Sequence, residues 1–204
     1  MANKINLSRN TIKHANKPRH EIRRREYAVT DETWIKSLLA RSVYGTLATA
    51  HESQPFLTPI LFHFAEEERA IYFHGARVGR LRANFEVNPD VCFNVTEVGR
   101  ILPHGKAVNF NIEYNSVTVF GRVEKVDDKK EVERVLQCIM DKYAPHLKPD
   151  VDYIPAQPED IDRTLVAKIT IEDWTGKQQK DDGESINPYY YDPMPVIRHP
   201  EDER

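Results

Sequence analysis

Apolar positions along this chain recur mostly with a period of two, which predicts short strands. VYGTLATA (43–50) and FLTPILFHFA (56–65) are the first two, separated by the turn-like HESQP, and Pro59 assigns the second to a sheet edge or a bulge. The polar run EEER divides it from AIYFH (70–74), a spacing that predicts an antiparallel meander. VCFNVTEV (91–98) is the fourth strand, after Asn88-Pro89-Asp90 has stopped a helix. NSVTVFGRVEKV (115–126) sets Val117, Val119 and Gly121 against Ser116, Thr118 and Phe120. LVAKITIEDW (165–174) sets Leu165, Ala167, Ile169 and Ile171 against Val166, Lys168 and Thr170. Residues 99–113 read as a long polar loop.

The period changes to that of a helix in three places. Thr30 predicts an N-cap, with Asp31 and Glu32 in the first turn, and Trp34, Ile35, Leu38 and Leu39 form one buried stripe. Over 128–143, Val132, Val135, Leu136, Ile139, Met140 and Tyr143 share a face. Between the third and fourth strands, Val78, Leu81 and Phe85 predict an inward helix face, with Arg77, Arg80 and Asn84 together on another. PHLKPDVDYIPAQPED reads as a connector, and INPYYYDPMPVIRHPEDER as a tail draped over a surface. Six short strands with two to three peripheral helices predict a mainly β (α+β) domain built on a small antiparallel barrel.

Composition narrows the function. The 204 residues suit one domain with dressed termini, and the net charge is −3. Residues 1–26 carry eight Lys/Arg against two Glu, and residues 178–204 three Lys/Arg against seven Asp/Glu. That basic arm lacks interleaved aromatics, so nucleic-acid binding is not expected. No stretch is apolar enough to span a bilayer and no secretory h-region is visible, so a cytoplasmic protein is expected. Cys92 and Cys138 are far apart and read as core thiols rather than metal or redox partners.

The candidate chemistry lies in YFHGARVGRLRANF (72–85), where Arg77, Arg80 and Arg82 crowd just past a strand end. As local pattern this is either a solvated basic helix or an anion site. Gly75 admits close backbone approach, a helix start offers free N–H groups, and arginine forks suit phosphate. No hydrolase, zinc-protease or nucleotide P-loop motif is present. His63, His74 and His104 are single histidines, each a packing residue or a haem ligand.

The ordered set GTLAT, QPFLTPILF, IYFHGARVGRLRANFEVNPDVCF, NSVTVFGR and IEDWTGK, after RRREYAVTDE, resembles the FMN-binding split barrel of the pyridoxamine 5′-phosphate oxidase superfamily. Its nitroimidazole-resistance (Nim-type) branch is the nearest in pattern. The resemblance covers about residues 22–178 and implies a domain over 27–178, flanked by a basic arm (1–26) and a Pro/Tyr-rich acidic tail (179–204). It implies a six-stranded split barrel that forms a homodimer with FMN at the subunit interface. By the same resemblance, Thr58, Pro59 and Ile60 line the isoalloxazine edge, and His74 and Gly75 contact the cofactor. Arg80 takes the phosphate, Ser116 is a polar flavin contact, and Trp174 reaches the flavin from the other subunit.

Two departures stand out. The family's lysine after Arg80 is Leu81 here, with Arg77 the expected substitute and Arg82 left as surface. The oxidases' Arg-x-His segment has no counterpart after Trp174, so oxidation of pyridoxamine phosphate is not expected. The resemblance then implies electron transfer from NAD(P)H to a small acceptor such as a nitroaromatic or quinone. Haem binding, a deazaflavin cofactor and a non-catalytic flavin module remain alternatives.

Overall fold

The computed structural model describes residue 13 and residues 16–191. Most of the basic arm (1–12, 14 and 15) and the tail beyond Tyr191 lie outside the described residues. Eight strands form one antiparallel sheet: β1 (Ala28–Val29), β2 (Gly45–His51), β3 (Gln54–Ile60), β4 (Phe62–Ala65), β5 (Ala70–Gly75), β6 (Asp90–Leu102), β7 (Asn111–Lys125) and β8 (Leu165–Gln179). Four helices accompany them: α1 (Glu32–Arg41), α2 (Arg80–Val87), α3 (Lys129–Tyr143) and α4 (Pro158–Arg163).

The strands pair in the order β3-β2-β6-β7-β8-β5-β4, with β1 on the side of β8. The two ends of this path, β3 and β4, are separated in the chain by Leu61 alone. The sheet must therefore curl until its two edges meet, which makes it a barrel split at that seam. The predicted single strand 56–65 is these two edges, broken at Leu61. Pro59 sits, as expected, where no neighbour needs its missing N–H.

The barrel interior is apolar and continuous. Leu47, Phe62, Phe73, Phe93, Val117, Val119 and Ile169 are wholly buried, and the Phe62 and Phe93 rings meet edge-on at 4.9 Å. Ile35, Leu38 and Leu39 of α1 join this cluster, as does Phe85 of α2. Asp31, rather than Thr30, caps α1, its Oδ1 accepting from Thr33 N at 2.9 Å. α3 covers the outside of β5 and β8. Its Val132, Val135 and Ile139 pack on Ala70, Tyr72 and Val166 in a second cluster. β5 is thus covered on both faces, and each fully buried aliphatic side chain there contributes about 1.5–3 kcal/mol.

One further expectation is corrected. The polar loop 99–113 is for the most part an extension of the β6–β7 hairpin, closed by a 3₁₀ turn at Ala107–Asn109. A bulge between Val98 and Ile101 is clamped by Glu113, which accepts from Arg100 N at 3.1 Å and from its Nε at 2.9 Å. The described part of the tail lies against this hairpin, Ile101 N donating to Tyr189 O at 2.7 Å. The described part of the basic arm docks on β8, with Arg19 paired to Glu172. Among the described residues, no helix is long and apolar enough to cross a membrane.

Candidate functional site

The seam at β3 is where the barrel leaves backbone unpaired. β3 bonds only to β2, so its outer N–H and C=O groups have no strand partner. Its side chains are largely exposed, including Leu57 and, just past its end, Leu61. Beside this free edge, β5 ends at Gly75 and the chain runs through Ala76–Gly79 into α2. A groove of about 420 Å³ lies between them. Thr58, Pro59 and Ile60 form one wall, His74 and Gly75 the end of β5, and Gly79, Arg80, Leu81 and Arg82 the opposite wall.

Several features of this groove suit a flat ligand bearing an anion. Thr58 Oγ1 is, among the described residues, the one buried side-chain oxygen or nitrogen without a hydrogen-bond partner. A buried hydroxyl left unpaired costs about 1–3 kcal/mol, and because Thr58 lines the groove, a small shift that lets a ligand bond it recovers that cost. A Cβ added at Gly75 would meet nothing within 4 Å, so backbone is open to close approach there.

The opposite wall carries the charge. Gly79, at φ 150°, occupies a region glycine reaches readily, and this turn sets where α2 begins. The helix has no side-chain cap and no acidic residue in its first turn, so its leading N–H groups and positive dipole end are uncompensated. Arg80, the first residue of α2, is exposed, and among the described residues its side chain has no hydrogen-bond or ion-pair partner. No Asp or Glu among the described residues lines the groove. A phosphate is the anion that such a helix start with a free guanidinium binds best.

The structure brings Thr58, Pro59, Ile60, His74, Gly75 and Arg80 into this one groove and leaves three expected residues outside it. Arg77 precedes α2, and its guanidinium donates to the Asp162 carbonyl of α4. It is therefore not on a shared helix face with Arg80. Arg82, expected at the surface, does line the groove, with Nε donating to Glu86 at 2.6 Å and Nη1 to Arg77 O at 2.6 Å. The helix starts three residues later than the arginine spacing suggests, so its phase shifts. Val78 is exposed, while Asn84 is buried and donates to Thr49 Oγ1 at 3.1 Å. Ser116, on β7, belongs to a ladder with Asn94 and Thr96 at 3.0 and 3.1 Å. Trp174 is stacked under Arg69 at 4.1 Å beside the docked arm.

Sequence reasoning missed Gly79, whose place just before Arg80 was the available signal for a helix start. It also missed a larger cavity, about 850 Å³, between α3, the 153–156 connector and α4. Leu136, Ile139, Met140, Ile154 and Pro155 give it an apolar lining, and His74 opens onto it as well as onto the groove. The other two candidate histidines differ. His63 is half-buried, its pKa held below the usual value by burial first and then by the charges of Lys142 and Arg134. His104 already accepts from Lys106 N at 3.0 Å.

Comparison with known proteins follows the same outline. Residues 31–178 match the family described as pyridoxamine 5′-phosphate oxidase. No curated protein matches the chain. Among solved structures, the flavocytochrome Anf3 from Azotobacter vinelandii superposes with a TM-score of 0.70 at 24% identity, over 90% of each chain. The FAD and haem binding protein from Mycobacterium smegmatis gives 0.68 at 16% identity, over 86% of this chain and 90% of that one. A protein assigned to 5-nitroimidazole antibiotic resistance, from Bacteroides thetaiotaomicron, gives 0.62 at 20% identity, over 74% of this chain and 86% of that one. These likenesses establish the fold.

Proposed function

Because the chain belongs to the pyridoxamine 5′-phosphate oxidase family, we propose that the β3–β5–α2 groove binds a flavin, specifically FMN. We further propose that the protein is a reductase of small acceptors such as nitroaromatics or quinones, drawing on NAD(P)H. One observation carries the reading. In a groove with no carboxylate, Arg80 stands without a partner at the uncapped start of α2. FMN ends in a phosphate, and this is where the phosphate would lie. The ring system would then run along the free edge of β3 past the unpaired hydroxyl of Thr58.

A bound flavin supplies the redox chemistry, and the protein supplies binding, orientation and field. Gly75 lets the ring approach the strand end closely. Arg80 and the α2 dipole hold the phosphate, so the ring is fixed at two points. The apolar rim at Val78 is exposed and suits an aromatic acceptor entering from solvent.

The reading includes a homodimer. Trp174 and Ser116 lie away from the groove of their own chain, as expected if a second copy brings its Trp174 to this flavin. Exposed Phe56, Leu57 and Leu61 along the seam give such a copy an apolar surface to cover. The chromophore released by denaturing the purified protein tests the cofactor: its spectrum and mass should be those of FMN. A colourless protein that takes up no FMN on titration would overturn the reading, and a deazaflavin mass would redirect it. Sedimentation equilibrium at the mass of a single chain would remove the dimer.

A second reading, haem alongside the flavin, has one specific observation in its favour. The His74 side chain is exposed, has no hydrogen-bond partner among the described residues, and opens onto the apolar 850 Å³ cavity. Two of the structural relatives are named for flavin and haem together. Of the three candidate ligands, His74 alone combines a free imidazole with space for a flat macrocycle. Haem titration should then give a Soret band that His74→Ala abolishes and His104→Ala keeps. No band, or one indifferent to His74, would discard this reading and leave the flavin reading intact.

A further inference from the structure

Lys142, near the C-terminal end of α3, has no ion-pair partner among the described residues, an unusual state for a half-buried amine. Its Nζ lies 3.8 Å from the centroid of the Phe62 ring, which is wholly buried in the barrel core. It donates to Phe62 O at 3.1 Å. The same side chain faces a pocket of about 350 Å³, separate from the groove and the large cavity, whose other walls are Ala40, His63, Phe64, Cys138 and Asp141.

The groups around the amine come from three elements. β4 contributes His63, α3 contributes Cys138, Asp141 and Tyr143, and α1 contributes Ala40. Burial withdraws water from the ammonium form and pushes Lys142 down to about 8. The Phe62 ring and carbonyl oppose that trend, since both favour the cation. A useful fraction of the amine is therefore uncharged near neutrality. His63 is kept neutral, as described above, and can accept a proton. The Asp141 carboxylate is oriented by Gln137 Nε2 at 2.7 Å.

We propose that Lys142 is a covalent site for small apolar aldehydes. Phe64 and Ala40 give the pocket an apolar side for the alkyl or aryl chain, and Lys142 is one of its walls. The Nζ lone pair forms the C–N bond as the carbonyl π bond breaks. Two proton transfers from nitrogen to oxygen, through His63, release the oxygen as water and leave an imine. No electrons are exchanged, so no oxidant or reductant is consumed. Lysines are nucleophilic when desolvated in this way.

The test uses the full-length protein, butanal in limiting amount, and cyanoborohydride to reduce the imine in place. Peptide mass spectrometry should find the butyl adduct on Lys142 before any other lysine, with a rate that rises with pH to a midpoint near 8. His63→Gln should slow the labelling on the order of 100-fold, the lower end of what a general base contributes, because burial makes His63 a weaker base. Ala40→Trp, a change at an exposed position, should narrow the pocket mouth and slow it too, without lowering the melting temperature. Lys142→Arg should remove the adduct while keeping the positive charge. Adducts spread over the lysines by exposure, or labelling of Lys142 indifferent to Ala40→Trp, would overturn the proposal. Because the pocket is distinct from the flavin groove, FMN loading should leave the labelling unchanged.

Discussion

Arg80→Ala separates the phosphate reading from every other account of the arginine cluster. Arg80 has no partner in the protein to lose, so its removal should leave the melting temperature unchanged. In the complex it would make a charge-assisted hydrogen bond to phosphate at an exposed helix start. Such bonds contribute about 1.5–3 kcal/mol, and partial exposure places this one at the lower end, about 1.5–2 kcal/mol. At 1.4 kcal/mol per tenfold, FMN should bind about 10- to 30-fold more weakly. Riboflavin, which lacks the phosphate, should bind as before. Quenching of flavin fluorescence on titration reads both dissociation constants. Arg77→Ala should leave FMN affinity unchanged, because that guanidinium is committed to the Asp162 carbonyl. Equal losses for FMN and riboflavin in Arg80→Ala, or a larger loss in Arg77→Ala, would refute the assignment.

Thr58→Val replaces an unpaired buried hydroxyl with a methyl of the same shape. It should raise the stability of the flavin-free protein by about 1 kcal/mol while weakening riboflavin binding by a few-fold, and thermal melts with and without flavin read the two effects. Gly121→Ala would put a Cβ 2.2 Å from the Thr170 carbonyl oxygen on the next strand. Backbone cannot yield as a side chain can, so chemical denaturation should find a loss of about 2 kcal/mol or more. Lys142→Met should stabilise the protein at pH 7. The amine is held down to about 8 in the fold against an ordinary 10.5, so the unfolded chain binds more protons between those values. The wild type therefore gains stability as pH rises through that window, and the advantage of Lys142→Met in melting temperature should shrink from pH 8 to pH 10.5. A constant advantage would show that the charge is not buried.

The strands that build the barrel were legible because their inner faces are fully buried and their outer faces are not. Leu47, Val117, Val119 and Ile169 alternate with polar neighbours for that reason. The β6–β7 extension was not legible. It projects from the barrel, so Val98 and Phe110 are exposed and the period-two signal fades. Its pairing rests instead on the Arg100–Glu113 clamp across a bulge, a contact between residues with no sequence pattern to announce it. The joint at Leu61 was hidden for the opposite reason. Both of its flanking strands are apolar, and nothing local distinguishes one ten-residue strand from two edges of a curled sheet.

The site divides along the same physical line. Thr58–Ile60, His74, Gly75 and Arg80 could be matched by family resemblance because each is fixed by strand position or helix start, and these survive wherever the barrel does. The second cationic residue could not be matched in that way. Deciding between Arg77 and Arg82 depends on the turn at Gly79, since one residue earlier or later rotates the helix by about 100°. With the turn there, Arg77 is spent on α4 and Arg82 faces the groove while held by Glu86. Leu81, standing where the family's lysine would be, lies on the groove wall and packs against the barrel core. A lysine at that place would have to extend past this contact to reach the phosphate. Here Leu81 contributes packing, and in the proposed complex Arg80 with the helix start would hold the anion.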